Sequence, residues 1–265
     1  MSGARLVITL HGNQAVPPRH LSLKKAAMQY AYRVASMTTT GSPYTAERVR
    51  EVVRLGECRF IPNGVDMKVF RPLDGRKRLP FLLTVGALRP RKGADILVAA
   101  LGILKEEFPD VRCKIVGAVS DAAFTDGVRE SAKGLGIADR VDFLGTVDDA
   151  DLVALYNTCA IFVLAAREAH GTFEGFPLVF YEANACGAPV VTTRGFGSEY
   201  AIKEGANGLL ISSADAGELA AAIRKILQNP KLHAEMSRNA VEEARKHTWD
   251  AVAPELLALY HDTLR

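Results

Sequence analysis

The chain reads as an α/β protein, with a doubly wound parallel sheet in roughly its last two thirds and a piece of a second α/β domain ahead of it. Three observations predict this. From Leu79 onward, short apolar runs alternate with amphipathic stretches of helical length. The runs number six, the count of a doubly wound sheet. Most of the stretches between them open with Asp or a nearby Gly or Pro, residues that start helices.

In chain order, Leu6–Leu10 reads as a strand, Leu21–Val34 as a helix, Ser36–Thr40 as a strand, Tyr44–Leu55 as a helix and Arg59–Ile61 as a strand. These make a partial domain over residues 1–62. Pro62-Asn63-Gly64, Pro72, Asp74-Gly75 and Pro80 then cluster turn formers around the basic run Arg76-Lys77-Arg78, which places a linker at 63–79. Six strands rich in Val, Ile, Leu and Phe follow, at Phe81–Ala87, Arg112–Gly117, Val141–Gly145, Ile161–Ala165, Pro189–Thr193 and Gly208–Ile211. Helices at Ala94–Glu107, Asp121–Leu135, Asp149–Asn157, Leu178–Cys186 and Asp215–Gln228 supply the crossovers that parallel pairing requires. Two further helices, Leu232–His247 and Trp249–Leu264, close the chain. The reading divides it into a second domain at 80–247 and a C-terminal helix at 248–265. There is no internal repeat and no low-complexity tract.

A chain of 265 residues, 48% apolar and 24% charged, excludes disordered and fibrous classes. The longest uncharged apolar run, Cys159 to Ala166, is far short of the ~20 residues a membrane-spanning helix needs, and Met1 to Leu10 lacks a signal peptide's apolar stretch. The expected location is therefore the cytoplasm. The four cysteines, Cys58, Cys113, Cys159 and Cys186, form no Cys-x-x-Cys pair, so neither disulfides nor a zinc site is expected. Net charge is only +3, but it is polarised. Residues 1–80 hold 14 Lys and Arg against 5 Asp and Glu, while the rest hold 19 against 25. Such a basic first third suits an anionic membrane surface, a phosphorylated acceptor or nucleic acid, although a solvated basic face is the leading explanation.

The most informative stretch runs from Glu174 to Val191. Gly175 permits close backbone approach, Pro177 suits a first helical position, and Gly187 with Pro189 stops the helix before a buried strand. A short helix thus aims its N-terminus at the sheet's carboxyl edge, where the amides of Phe176, Leu178 and Val179 suit a phosphate. Two carboxylates, Glu174 and Glu182, flank that anion site. They would repel phosphate but would accept hydrogen bonds from vicinal hydroxyls, and a nucleotide sugar offers both groups. On residue types alone the alternative stays open that Glu182 caps or pairs on an exposed face and Glu174 is a loop charge.

The two glutamates, with seven residues between them and embedded in Glu-Gly-Phe-Pro and Ala-Cys-Gly-Ala-Pro-Val-Val, resemble the signature of the retaining family 4 glycosyltransferases of GT-B fold. The resemblance extends through Val85–Gly93, Ile115-Val116-Gly117, Val141–Gly145, Glu204–Leu210 and the linker motif Ile61–Asp66 with Phe70, essentially the whole chain. It implies a GT-B architecture with a complete C-terminal Rossmann-like sheet for the donor at 80–247 and a partial N-terminal Rossmann-like domain for the acceptor. It implies that Glu174 contacts the donor sugar, Glu182 the ribose, and Lys92 the diphosphate. Gly175, Phe176, Pro177 and Leu178 would supply phosphate-binding backbone, with Gly117, Thr146 and Val147 near the nucleotide. His11, in His11-Gly12, resembles the loop histidine facing the reaction centre, though a satisfied structural histidine fits as well.

The family's usual Arg after the Val-Gly glycine is Ala87 here, and Arg89 is the expected substitute. The segment Arg167–Phe173 before Glu-Gly-Phe-Pro is longer than usual and is expected to shape the donor pocket. The front of the acceptor domain is expected to be missing. This predicts self-association or a partner chain at residues 1–62, and little transfer by the chain alone. Helix Trp249–Leu264 is expected to pack back toward that part. Other chemistries find no support. There is no dinucleotide fingerprint, no P-loop, no His-Glu-x-x-His and no Gly-x-Ser-x-Gly. Hydrolysis by the two glutamates is disfavoured, because a retaining glycosidase needs carboxyls about 5 Å apart and this spacing places them farther. The expected reaction moves a sugar from a nucleotide diphosphate sugar to a sugar or lipid-linked acceptor with retention, in polysaccharide or glycolipid biosynthesis. It needs no cofactor or metal and involves no nucleic acid. The other reading is a non-catalytic nucleotide-sugar-binding module, or a fragment needing a partner chain.

Overall fold

The computed structural model describes residues 5–264. Nine strands fall into two sheets, both wholly parallel among the described residues. The first holds β1 (Val7–Leu10), β2 (Met37–Thr40) and β3 (Cys58–Phe60) in that order, joined by α1 (Leu23–Val34) and α2 (Pro43–Arg50). Its small core gathers Leu10, Ala15, Tyr32, Ala46 and Val49.

The second sheet comprises β4 (Leu79–Val85), β5 (Arg112–Val116), β6 (Val141–Gly145), β7 (Cys159–Leu164), β8 (Val190–Thr193) and β9 (Gly208–Ile211). Its order is β6-β5-β4-β7-β8-β9, so the chain reverses direction across the sheet between β4 and β7. This is the doubly wound order, and its switch point lies where those two strands meet. Period-two alternation explains why the strands read as continuous apolar runs. Leu82, Ile161 and Val163 face one core with α3 (Ala94–Leu104), α4 (Ala122–Gly134) and α7 (Ala216–Leu227). Phe81, Leu83, Val85, Phe162 and Leu164 face the other, with α5 (Asp149–Thr158) and α6 (Val179–Ala185). With both faces covered, every residue of β7 is buried.

The expected elements are present, with ends shifted by a few residues. The helix expected from Leu21 starts at Leu23, because Ser22 accepts a hydrogen bond from the Lys25 amide and caps it. The helix expected over Tyr44–Leu55 stops at Arg50, and strand β7 begins two residues before Ile161.

Polar side chains fix the linker onto the larger sheet. The Asn157 carboxamide donates to the Arg71 carbonyl (3.0 Å) and accepts from the Leu73 amide (2.8 Å). The Arg78 guanidinium donates to the carbonyls of Tyr156, Cys159 and Cys186 at 2.6, 3.1 and 2.9 Å. These carbonyls lie at the C-terminal ends of α5 and α6, where unpaired acceptors and the helix dipole favour a cation. After α8 (Pro230–Lys246), the Val65 amide donates to the His247 carbonyl at 2.8 Å, so α9 (Trp249–Leu264) starts against the linker. No helix among the described residues is long and apolar enough to cross a membrane.

Candidate donor and acceptor site

The first strand of the larger sheet ends at Val85 and leads into a loop whose 3-10 turn, Pro90–Lys92, runs directly into α3. Gly86 has φ +145°, and a Cβ there would come within 2.9 Å of Lys92 Cε. The glycine therefore lets the lysine lie back over the strand end. Lys92 Nζ reaches Glu174 Oε2 at 2.7 Å, and the Arg91 guanidinium meets the same oxygen. All three side chains are at least four-fifths buried. Two cations thus converge on one desolvated carboxylate, where charge-assisted contacts are strong and an unpaired charge is costly.

Glu174 also faces a cavity of about 190 Å³ between the two sheets. Leu10, His11, Gly12, Asn13, Ser42, Thr45 and Asn63 line one side, and Arg91, Phe173, Gly175 and Phe176 the other. The wall is closed by backbone on backbone. A Cβ on Gly175 would lie 2.6 Å from Gly12 Cα, so no other residue fits there without moving the two halves apart. Ser42 is 1% exposed and its hydroxyl finds no partner among the described residues. Buried hydroxyls in folded proteins are almost always paired.

Helix α6 starts at Val179, one residue later than expected, because the Phe180 and Glu182 amides donate back to the Pro177 and Leu178 carbonyls. The amides of Phe176, Leu178 and Val179 have no acceptor among the described residues. In the first turn of α6, Glu182 accepts a hydrogen bond at 2.9 Å from the hydroxyl of Tyr156, a fully buried residue of α5. Burial pushes the Glu182 carboxyl above its ordinary range, opposed by the Tyr156 hydrogen bond and the Lys92 charge.

The other expected site residues are more dispersed. Gly117 sits at the carboxyl edge, where a Cβ would lie 2.1 Å from the Gly86 carbonyl oxygen, so the two loops pack this closely only with glycine at 117. Arg89 precedes the 3-10 turn; its guanidinium makes no ion pair among the described residues, and its buried Nε has no partner. Thr146 is exposed after β6, and Val147 opens onto a separate cavity beside Leu144 and Leu155. Neither lines the cavity that holds Glu174 and His11. Sequence reasoning missed Arg91, Ser42, Asn63 and Tyr156. Arg91 was signalled by its place in Arg-Pro-Arg-Lys-Gly, whereas Tyr156 carried no signal, since a tyrosine before an apolar strand reads as core.

The segment Arg167–Phe173 spans the two halves. Arg167 pairs with Asp95 at 2.8 Å, Glu168 with Arg48 of α2 at 2.8 Å, and Phe173 is 1% exposed with Tyr44 edge-on at 5.1 Å between centroids. The segment meets the site through Phe173.

Residues 68–243 match the family description "Glycosyl transferases group 1". Among curated proteins, D-inositol 3-phosphate glycosyltransferase of Acidothermus cellulolyticus is 35% identical over 221 residues, 78% of this chain and 48% of its own. The Mycobacterium marinum protein of the same name is 34% identical over 94% of this chain and 54% of its own. The chain spans about half the length of these relatives. Among solved structures, Anabaena HepE in complex with UDP superposes with a TM-score of 0.85 at 23% identity, over 97% of this chain and 72% of that one. Sucrose-phosphate synthase of Thermosynechococcus elongatus gives 0.81 at 26%, over 97% and 67%. With a doubly wound sheet, a second parallel sheet across a cleft and these matches, the chain belongs to the glycosyl transferases group 1 family and has the GT-B fold.

Proposed function

We propose that this chain binds a nucleotide diphosphate sugar at the carboxyl edge of the larger sheet and serves its transfer, with retained configuration, to an acceptor in the cleft. The observation that carries the reading is the convergence of Glu174, Lys92 and Arg91 on the cleft between the sheets. In this reading Lys92, Arg89 and the free amides of Phe176, Leu178 and Val179 meet the diphosphate, Glu182 holds the ribose, and Glu174 orients the sugar. Structures of HepE contain UDP and UDP-glucose, which makes uridine the first base to test.

In a retaining transfer, the anomeric carbon–oxygen bond to the diphosphate breaks and its electron pair leaves with the phosphate. The acceptor hydroxyl bonds to the same face and passes its proton to the departing phosphate oxygen. The protein then contributes position and charge, which are the large terms in such catalysis. Cations on the leaving group supply the charge. His11, at the cavity's opposite wall, stands on the acceptor side, where Ser42, Thr45, Asn13 and Asn63 suit a polyhydroxylated acceptor. The relatives' names make an inositol phosphate one acceptor to test, beside free and lipid-linked sugars.

On α1, Leu23 and Tyr30 are 91% and 65% exposed, and β1 has a free edge among the described residues. Both features support association through residues 1–62, with a second copy or a partner chain, and the basic charge there supports contact with an anionic membrane. The test is titration of UDP-glucose and UDP into the chain by calorimetry, with transfer to an acceptor panel measured alone and after association is disrupted. Binding with transfer supports the enzyme, and binding without transfer in any state supports the binding-module reading. No affinity for any nucleotide diphosphate sugar overturns both.

A further inference from the structure

Glu182 is held by a residue from another helix. Tyr156, on α5, is 0% exposed and donates its hydroxyl to one oxygen of the Glu182 carboxylate at 2.9 Å. The phenol ring is fixed from two sides, by Phe70 of the linker at 6.0 Å and Phe162 of β7 at 5.7 Å between centroids. The neighbouring Asn157 anchors the same helix to the linker backbone through Arg71 and Leu73. A ring so constrained has one place to put its hydroxyl, and a phenol in that environment stays protonated, since burial and the Glu182 charge push its pKa well up. It therefore serves as a hydrogen-bond donor to the carboxylate.

We infer that Tyr156 is the positioning residue of the nucleotide site: by occupying one oxygen of Glu182 it fixes the carboxylate's rotamer and leaves the other oxygen to the ribose hydroxyls. This rests on the reading of Glu182 given under Proposed function. A half-buried carboxylate without that hydrogen bond would rotate freely and take up a proton more easily. The groups that set its charge are Tyr156 and Asp149 of α5 and Lys92 of the facing loop. Asp149 opposes ionisation, while Tyr156 and Lys92 favour it. Loss of the hydroxyl removes the one short contact that favours the ionised form and leaves Asp149 in place.

The test is Tyr156→Phe, which keeps the ring against Phe70 and Phe162 and deletes only the donor. UDP and 2′-deoxy-UDP are titrated across pH 5–8 into the wild-type chain, Y156F, E182A and the double variant. The expected result is a UDP affinity about three- to ten-fold lower in Y156F, a smaller preference for UDP over the deoxy analogue, and loss of binding beginning at a higher pH. In the E182A background, Tyr156→Phe should have no further effect. If Y156F melts lower but keeps the wild-type ribose preference and pH profile, or weakens UDP equally in the E182A background, Tyr156 is structural only and the inference fails. If E182A itself binds UDP as the wild type does, it is the reading of Glu182 that fails. Should Y156F not fold, Tyr156→Met, which fills the space flexibly without a donor, replaces it in the same comparison.

Discussion

Glu174 competes with the proposed ligand for its own partners. Both Lys92 and Arg91 sit on its carboxylate, and these are cations that a diphosphate would otherwise recruit. Glu174→Gln is therefore expected to bind free UDP as tightly as the wild type or more so, while losing UDP-glucose affinity relative to UDP and losing transfer. Equal weakening of both ligands would contradict a role on the sugar. Arg89, uncompensated by any carboxylate among the described residues, tests the Ala87 departure. Arg89→Ala should weaken UDP by about ten-fold and leave uridine binding unchanged, since charge–charge contact is absent from the nucleoside. Indifference of both ligands would leave the diphosphate to Lys92 and the backbone.

At the scale of elements, α8 is pinned to the sheet by His233, whose Nε2–H donates to the Ala160 carbonyl of β7 at 2.8 Å. Burial lowers its pKa below the ordinary 6.5, so the folded state prefers the neutral ring. The stability from that preference is present in full above about pH 6.5 and is lost as pH falls from there through the depressed folded value. Thermal unfolding between pH 7.5 and 5 is expected to show His233→Gln with a shallower loss on acidification than the wild type. Parallel slopes would remove His233 from the acid response.

Across the whole molecule, the two halves meet through a few aromatic contacts, the Arg48–Glu168 ion pair and the Gly12–Gly175 approach rather than a common core. Tyr44 of α2 packs edge-on against Phe173 and Phe196, at 5.1 and 5.5 Å between centroids, and Phe60 of β3 lies 5.1 Å from Tyr200. Pairs of this kind are each worth about 0.5–1.5 kcal/mol beyond area burial. Such a joint can open locally while the larger sheet stays closed. Tyr44→Ala is therefore expected to speed amide exchange in Glu168–Phe173 and Gly195–Tyr200 while leaving exchange in β4 and β7 unchanged. Acceleration spread evenly over the larger sheet would mean that the joint is part of one cooperative core.

The doubly wound sheet was legible from residues 80 onward because both of its faces are covered. Central strands such as Ile161–Leu164 must then be continuously apolar, and crossovers of helical length must separate them. The spacing of Glu174 and Glu182, with Gly175 and Pro177 between, was legible because a loop-to-helix turn at a sheet edge demands those residue types locally. What tertiary structure alone decided was partnership. That Arg91 joins Lys92 on Glu174, that Tyr156 reaches Glu182 from another helix, and that Ser42 and Asn63 stand across the cleft from Phe173 depend on side chains 26 to 131 residues apart in sequence. Local sequence carries no periodicity for such contacts. They are set by the crossing of α5 over α6 and by the Gly12–Gly175 approach, which brings the two sheets close enough for one cavity to be lined by both.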